Sequence, residues 1–330
     1  MSNDILNVVV TGAAGQIGYS LIFNIVRGEM FGSDQKIRLV LMDIAPMLDG
    51  IKGVIMEIED CCYPLVGEIV VTADPKEAFA NADYAILVGG MPRKDGMERA
   101  DLLKANATIF QVQGKALNDH AKKTCKVLVV ANPANTNALI AMVNAPNIPK
   151  ENFSCLTRLD QNRARAQIAL RAKVSVKDVH NIIVWGNHSL TIFPDHRCGY
   201  VSLPSGKSTI SGAVKDDTWL QNEFVATVQK RGAAVISARK LSSAASAAKA
   251  ITDHIHDWHL GTPEGEYVSM GVHSDGSYNI PSGIIFSFPV TIKNGVYTIV
   301  QGLPIDKNTQ EKLDATTAEL ISEKEVALAL

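Results

Sequence analysis

The 330-residue chain carries 32 Lys+Arg against 34 Asp+Glu, a formal charge of -2, and is 46% hydrophobic. These are the proportions of an ordinary globular protein with enough chain for about two domains, and they exclude disulfide scaffolds and fibrous architectures. No long block of Lys and Arg supplies the counterion-releasing patch that a nucleic-acid or membrane-surface partner needs, so the expected partner is a small molecule, with no nucleic acid and no membrane.

Apolar, β-rich runs at Ile5–Val10, Ile37–Asp43, Glu68–Thr72, Tyr84–Val88 and Lys126–Ala131 are separated by segments long enough for crossovers. Strands so continuously apolar are covered on both faces. The strand-helix alternation therefore predicts an α/β fold: a Rossmann-type doubly wound parallel sheet with its ligand at the carboxyl edge. After about Pro149 the pattern becomes that of a mixed α+β substrate/catalytic domain. A helix over Asp160–Arg171 leads to a strand at Asn181–Trp185 and a turn-rich, antiparallel-looking stretch through Gly206. Helices follow at Asp216–Arg231 and Ala234–His259, joined by Gly232, and the second is stopped by Gly261-Thr262-Pro263. Strands at Tyr267–Val272, Gly283–Pro289 and Val290–Val300 and a closing helix at Lys307–Leu328 complete the reading. The predicted domains are residues 1–153, dinucleotide-binding, and 154–330, substrate/catalytic.

The five cysteines, Cys61, Cys62, Cys125, Cys155 and Cys198, form no C-x-x-C pair and leave an odd thiol under any pairing, which suits a reducing compartment. The first residues hold no basic leader, no run of roughly 18 apolar residues occurs, and the terminal EVALAL carries no lipidation signal. The expectation is a cytoplasmic protein.

The first strand runs into Gly12-Ala13-Ala14-Gly15-Gln16-Ile17-Gly18, a G-x-x-G-x-x-G turn that opens a helix. Gly12 permits the tight turn, Gly15 lets backbone approach a pyrophosphate, and Gly18 lets the helix pack close to the strand, with the phosphates at the helix N-terminus. Alone, the motif also describes a strand-to-helix turn without a ligand. Asp43 ends the second strand about 25 residues after Gly18, where a carboxylate that binds both ribose hydroxyls belongs. A 2′-phosphate would meet its charge, which favours NAD over NADP; the alternative role is a cap on the following helix.

Three further segments are dense in reactive side chains: Met91–Arg99, Leu159–Arg163 and Trp185–Ser189. With ANPANTN at Ala131–Asn137, NFSCLTRLD at Asn152–Asp160 and GTPEGEYVSMGV at Gly261–Val272, they make the whole chain resemble the malate dehydrogenases, specifically their cytosolic NAD-dependent branch. The resemblance implies reversible oxidation of (S)-malate to oxaloacetate. His188 matches the family's base and Asp160 the carboxylate that orients it, chemistry suited to an imidazole near neutral pH. Arg163 matches the arginine gripping the C1 carboxylate, Arg99 the one polarising the C2 oxygen, and Arg93 the one pairing with the far carboxylate. An arginine facing the methyl of a lactate-type substrate would lack its counterion, so the expected substrate is a dicarboxylate. Asn132 matches an asparagine touching substrate and cofactor. Val130, Ala131, Asn106 and Gln113 match further cofactor contacts. The resemblance also implies a homodimer.

Purely structural roles exist for these residues: an ion pair between Asp160 and Arg163 at i+3, and a solvated charged loop over Met91–Arg99. Gly89, Gly90 and Gly96 are plausible hinges for closure of that loop. Ser242, Ser243 and Ser246 lie in a small-residue run suited to close approach of nicotinamide or of a neighbouring helix. His254, His256 and His259 do not converge as zinc ligands on one helix, and adjacent Cys61-Cys62 are poorly placed for a disulfide, so no metal is expected. A non-catalytic dinucleotide-binding protein is opposed by the intact His188, Asp160 and arginine set, and an NAD-dependent glycosidase by the lack of a metal-binding Cys/His set.

Overall fold

Val8, Val9 and Val10 are wholly buried, as are Leu39, Leu41, Ile86, Leu87 and Val127–Val129, because each of these strands is flanked by other strands and covered on both faces. They belong to the first of two compact units in the computed structural model, which describes residues 5–91 and 99–329. In chain order the unit runs β1 (Leu6–Thr11), α1 (Gln16–Val26), β2 (Ile37–Met42), α2 (Leu48–Asp60), β3 (Val66–Thr72), α3 (Pro75–Phe79), β4 (Tyr84–Leu87), α4 (Arg99–His120), β5 (Lys126–Val129), α5 (Ala134–Val143) and β6 (Phe153–Cys155).

All ladders between these six strands are parallel, and their order is β6-β5-β4-β1-β2-β3. Val8 pairs with Leu39 on one side and Tyr84 on the other, so the strand order reverses at β1 and β4. That reversal opens a crevice outside the strands' carboxyl ends, the ligand position of doubly wound sheets. The predicted α/β class and the doubly wound parallel sheet are what the structure has. The strand β6 escaped the sequence reading because three residues are too few to show a period. Ala244–His256 and the stretch from Ser322 also pack in this unit: Asn24 Nδ2 donates to Thr252 Oγ1 at 3.1 Å, and Thr136 Oγ1 to Glu323 at 2.5 Å.

The second unit comprises Thr157–Ser243 and Asp257–Ile321. It begins with α6 (Arg158–Ala172), followed by β7 (Val179–His180), β8 (Ile183–Trp185), β9 (Phe193–Asp195), β10 (Tyr200–Leu203) and β11 (Gly206–Thr209). Next come α7 (Ile210–Val214), α8 (Asp217–Gln221), α9 (Glu223–Arg239), β12 (Val268–His273), β13 (Ile285–Lys293), β14 (Val296–Ile299) and the first part of α11 (Lys307–Leu328), while most of α10 (Ala245–Leu260) and the end of α11 are the stretches counted in the first unit. The pairs β12–β13, β13–β14, β8–β9, β7–β10 and β10–β11 are all antiparallel. One core gathers Ala164 and Ile168 of α6 with Val179, Ile182, Val201, Trp219, Leu220, Phe224 and Val228.

Several boundaries differ from the sequence reading: the expected Asp216–Arg231 helix is divided at Asn222 into α8 and α9, the strand expected at Asn181–Trp185 starts at Ile183, and two further differences have a clear physical cause. Gly232 lies inside α9, and the break falls at Lys240, which takes a left-handed φ of 60°. A single glycine weakens a helix by only about 1 kcal/mol, too little to end one that is packed on its neighbours. Pro289 does not divide two strands but sits within β13. Its carbonyl accepts from Val300 N at 2.9 Å, so the missing N–H faces a residue past the end of β14, where few ladder bonds are lost.

Candidate active site

The glycine loop is built by backbone proximity. Gly12 takes φ +66°, and a Cβ there would stand 2.6 Å from the Cα of Gly89, at the mouth of β4. Gly89 N donates to both Thr11 O and Thr11 Oγ1 at 3.1 Å, which ties the two loops together at the point of strand reversal. A Cβ on Gly18 would meet the carbonyl oxygens of Gly12 and Ala13 at 2.6 Å, so this glycine is required for α1 to start so close to its strand. The helix is entered at Gly15 with no side-chain cap, leaving the first-turn amides around Gln16 and Ile17 for an anion.

Asp43 reaches back to this loop: Oδ2 accepts from Ala14 N at 3.0 Å and Oδ1 from Ile44 N at 2.8 Å. A carboxylate offers about four acceptor sites, so two remain for a pair of ribose hydroxyls. On α4, Asn106 and Gln113 are seven residues apart and hence on one face. Asn106 is fully buried and committed to the fold, donating to Met91 O, Leu102 O and Asn132 O and accepting from Met91 N. Gln113 is buried, and its Oε1 has no hydrogen-bond partner among the described residues. Such an orphan acceptor fits a ligand that brings a donor. Val130 and Ala131 follow β5 and both donate to Leu87 O, Ala131 O accepts from Asn137 Nδ2, and Asn132 is exposed.

In the second unit, α6 and the turn after β8 bring together the expected acid-base pair. His188 Nδ1 lies 2.6 Å from Asp160 Oδ2. Asp160 is 3% exposed, which strengthens a charge-assisted bond. Arg163, one turn along α6, reaches Asp160 Oδ1 at 3.4 Å and Ser243 Oγ at 3.3 Å. The i+3 ion pair foreseen as a structural alternative therefore coexists with the histidine bond, each using a different carboxylate oxygen. Arg93 and Gly96 lie outside the described residues; Arg99 opens α4, and its side chain lies outside them too.

Residues 6–154 match the family described as lactate/malate dehydrogenase, NAD binding domain, and residues 157–330 match lactate/malate dehydrogenase, alpha/beta C-terminal domain. The chain belongs to the lactate/malate dehydrogenase family. Its cofactor is NAD, and it is an NAD-dependent dehydrogenase. It is 68% identical over 328 residues to a probable malate dehydrogenase 3 of Dictyostelium discoideum, covering 99% of this chain and 98% of that one. It is 58% identical over 323 residues to a cytoplasmic malate dehydrogenase of Bos taurus, covering 98% and 97%. A crystal structure of malate dehydrogenase from Naegleria fowleri superposes with a TM-score of 0.94 at 45% identity, covering 99% of this chain and 98% of that chain.

Within this lactate/malate dehydrogenase, several residues that support the site had no signal in the sequence. Ser287 of β13 exchanges two backbone bonds with Gly186, and its Oγ donates to Val184 O while lying 2.8 Å from Thr157 Oγ1 at the head of α6. Gln161, beside Asp160, donates to Ile182 O and accepts from Ser269 N. These bonds fix α6 against β8, which sets where His188 meets Asp160. Among the described residues no helix is long and apolar enough to cross a membrane, and no group of three or more His, Cys, Asp or Glu is placed to hold a metal ion.

Proposed function

We propose that this dehydrogenase catalyses the reversible oxidation of (S)-malate to oxaloacetate, with His188 as general base and acid and Asp160 as its orienting partner. The observation that carries the reading is the 2.6 Å contact between His188 Nδ1 and the buried Asp160 carboxylate. It holds the proton on Nδ1 and so turns Nε2 into the basic nitrogen of the neutral ring. As the C2 hydroxyl gives its proton to Nε2, the Asp160 charge stabilises the imidazolium; in the reverse direction the same ring returns the proton. Bound NAD supplies the hydride acceptor.

Arg163 is assigned to the C1 carboxylate, since a guanidinium fork can bind a carboxylate through two parallel bonds and hold C2 in place. Arg99 is assigned to the C2 oxygen, Arg93 to the far carboxylate, and Asn132 to both substrate and cofactor. In the cofactor site, Asp43 takes the ribose hydroxyls, the loop Gly12–Gly18 the pyrophosphate, and Asn106, Gln113, Val130 and Ala131 line the remainder. Support for the malate reading comes from relatives that carry that name over their whole length. The cytoplasmic assignment follows the relatives named as cytoplasmic malate dehydrogenases, and the homodimer follows the sequence resemblance alone.

The deciding experiment replaces His188 by Asn and follows NADH consumption with oxaloacetate. Turnover is expected to be lost while NADH still binds. Turnover within a few-fold of the parent protein would remove His188 from the role of base.

A further inference from the structure

Every residue flanking His188 is tied to a single turn of α11. Asn187 N donates to Thr316 Oγ1 at 2.8 Å, and Asn187 Nδ2 donates to Glu319 Oε2 at 3.0 Å. On the other side of the histidine, Ser189 Oγ and Thr191 Oγ1 each donate to Glu319 Oε2 at 2.5 Å, and Thr191 N donates to Ser189 Oγ at 3.0 Å. Thr316 and Glu319 stand three apart on α11 and therefore share a face. Gly186 completes the fit, because a Cβ at its φ of +95° would lie 2.3 Å from Thr316 Cγ2. The loop contributes four donors to this face and no charge of its own. A carboxylate, which when ionised accepts and does not donate, suits the three of them that meet on Glu319 Oε2.

We infer that Glu319 is a positioning residue for the acid-base histidine, holding the 187–191 loop against α11 so that the His188 ring meets Asp160. The inference rests on the proposed role of His188. Asn187 and Ser189, the two immediate neighbours of the histidine, are both fixed to the same carboxylate, which leaves the histidine's backbone little freedom to rotate. Displacing a reacting group by about 1 Å can lower the rate on the order of 100-fold, so the geometry of this loop bears directly on turnover.

The test compares Glu319→Leu, Glu319→Gln and the double variant Ser189→Ala/Thr191→Val with the parent protein and with His188→Asn. Glu319→Leu removes the acceptor and strands its donors; the double variant removes two of the three donors to Glu319 without stranding either, and loosens the loop beyond the histidine while Asn187 stays bound to Glu319 and Thr316. Both are expected to lower kcat by about 10- to 100-fold, with KM for oxaloacetate and the affinity for NADH within about threefold of the parent. Glu319→Gln, which keeps one acceptor oxygen, is expected to fall between them and the parent. The pH limb of kcat/KM assigned to His188 should move in the tethering variants, which a merely structural role of Glu319 would leave in place. A double variant with kcat within threefold and an unmoved pH limb overturns the inference, whatever Glu319→Leu does. If His188→Asn itself remains active, the base assignment fails instead, and the two failures are thereby told apart.

Discussion

Replacing Asp160 by Asn changes one atom and tests the whole acid-base arrangement. The carboxylate has two donors opposite it: His188 Nδ1 at 2.6 Å and Arg163 Nη1 at 3.4 Å. An amide has one acceptor oxygen and one donor nitrogen, so it cannot satisfy both. Arginine has no acceptor, whereas imidazole can exchange tautomers, so the amide oxygen turns to Arg163 and the NH2 faces His188. The ring then accepts at Nδ1 and carries its proton on Nε2, the wrong tautomer for abstracting the substrate proton. Loss of a hydrogen bond to a charged group is worth about 1.5–3 kcal/mol, roughly 10- to 150-fold in rate at 1.36 kcal/mol per tenfold. The tautomer change adds to this; the same carboxylate-to-amide change in a hydrolase triad lowers kcat about 10⁴-fold. The expected fall in kcat is therefore about 10²- to 10⁴-fold, read as loss of NADH absorbance with oxaloacetate, with NADH affinity from fluorescence titration unchanged. A folded Asp160→Asn protein with kcat within about fivefold of the parent would refute the assignment of Asp160 as the orienting group.

Arg93→Gln is expected to reduce activity on oxaloacetate and raise relative activity on pyruvate, shifting the ratio by several hundred-fold if an unpaired buried charge costs on the order of 3–5 kcal/mol; an unchanged ratio of kcat/KM values removes Arg93 from substrate selection. Asp43→Ser removes the charge that would repel a 2′-phosphate and also the bond to Ala14 N, so NADPH should gain on NADH in KM, and an unaltered NADH preference would rule out the ribose role. His196 gives a pH prediction of defined sign. Burial pushes its imidazole below the ordinary value; among the nearby charges Asp195 and Asp217 oppose the shift and Arg197 adds to it. The unfolded chain takes up the proton near its ordinary value of about 6.5, so this contribution to stability is whole above that pH and is lost as pH falls through it. Urea unfolding at pH 7 and at acid pH should therefore show a smaller acid-induced loss in His196→Gln, and equal losses would contradict the sign.

What was legible in the sequence was local. The glycine turn after β1 and the acid at the end of β2 could be read because each acts through its own backbone or through the turn beside it. The parallel class could be read because the apolar runs are continuous where a sheet is covered on both faces. His188 and Asp160 are 28 residues apart, and nothing in spacing joins them; only resemblance to the malate dehydrogenases paired them. The errors share the same cause. Gly232 and Pro289 are strong breakers by local chemistry, yet the helix passes through one and the strand through the other, since packing and the end of a neighbouring strand remove the penalty. Glu319 lay beyond reach altogether, because a glutamate in an amphipathic closing helix looks like any solvated charge until Asn187, Ser189 and Thr191 are placed against it. The candidate site is thus written in short motifs, while the hydrogen bonds that hold the loop around His188 come from a residue some 130 positions away that belongs to no motif. A variant scan limited to the motif residues would miss it, and the loop tethered to α11 is where the difference between the two should appear first.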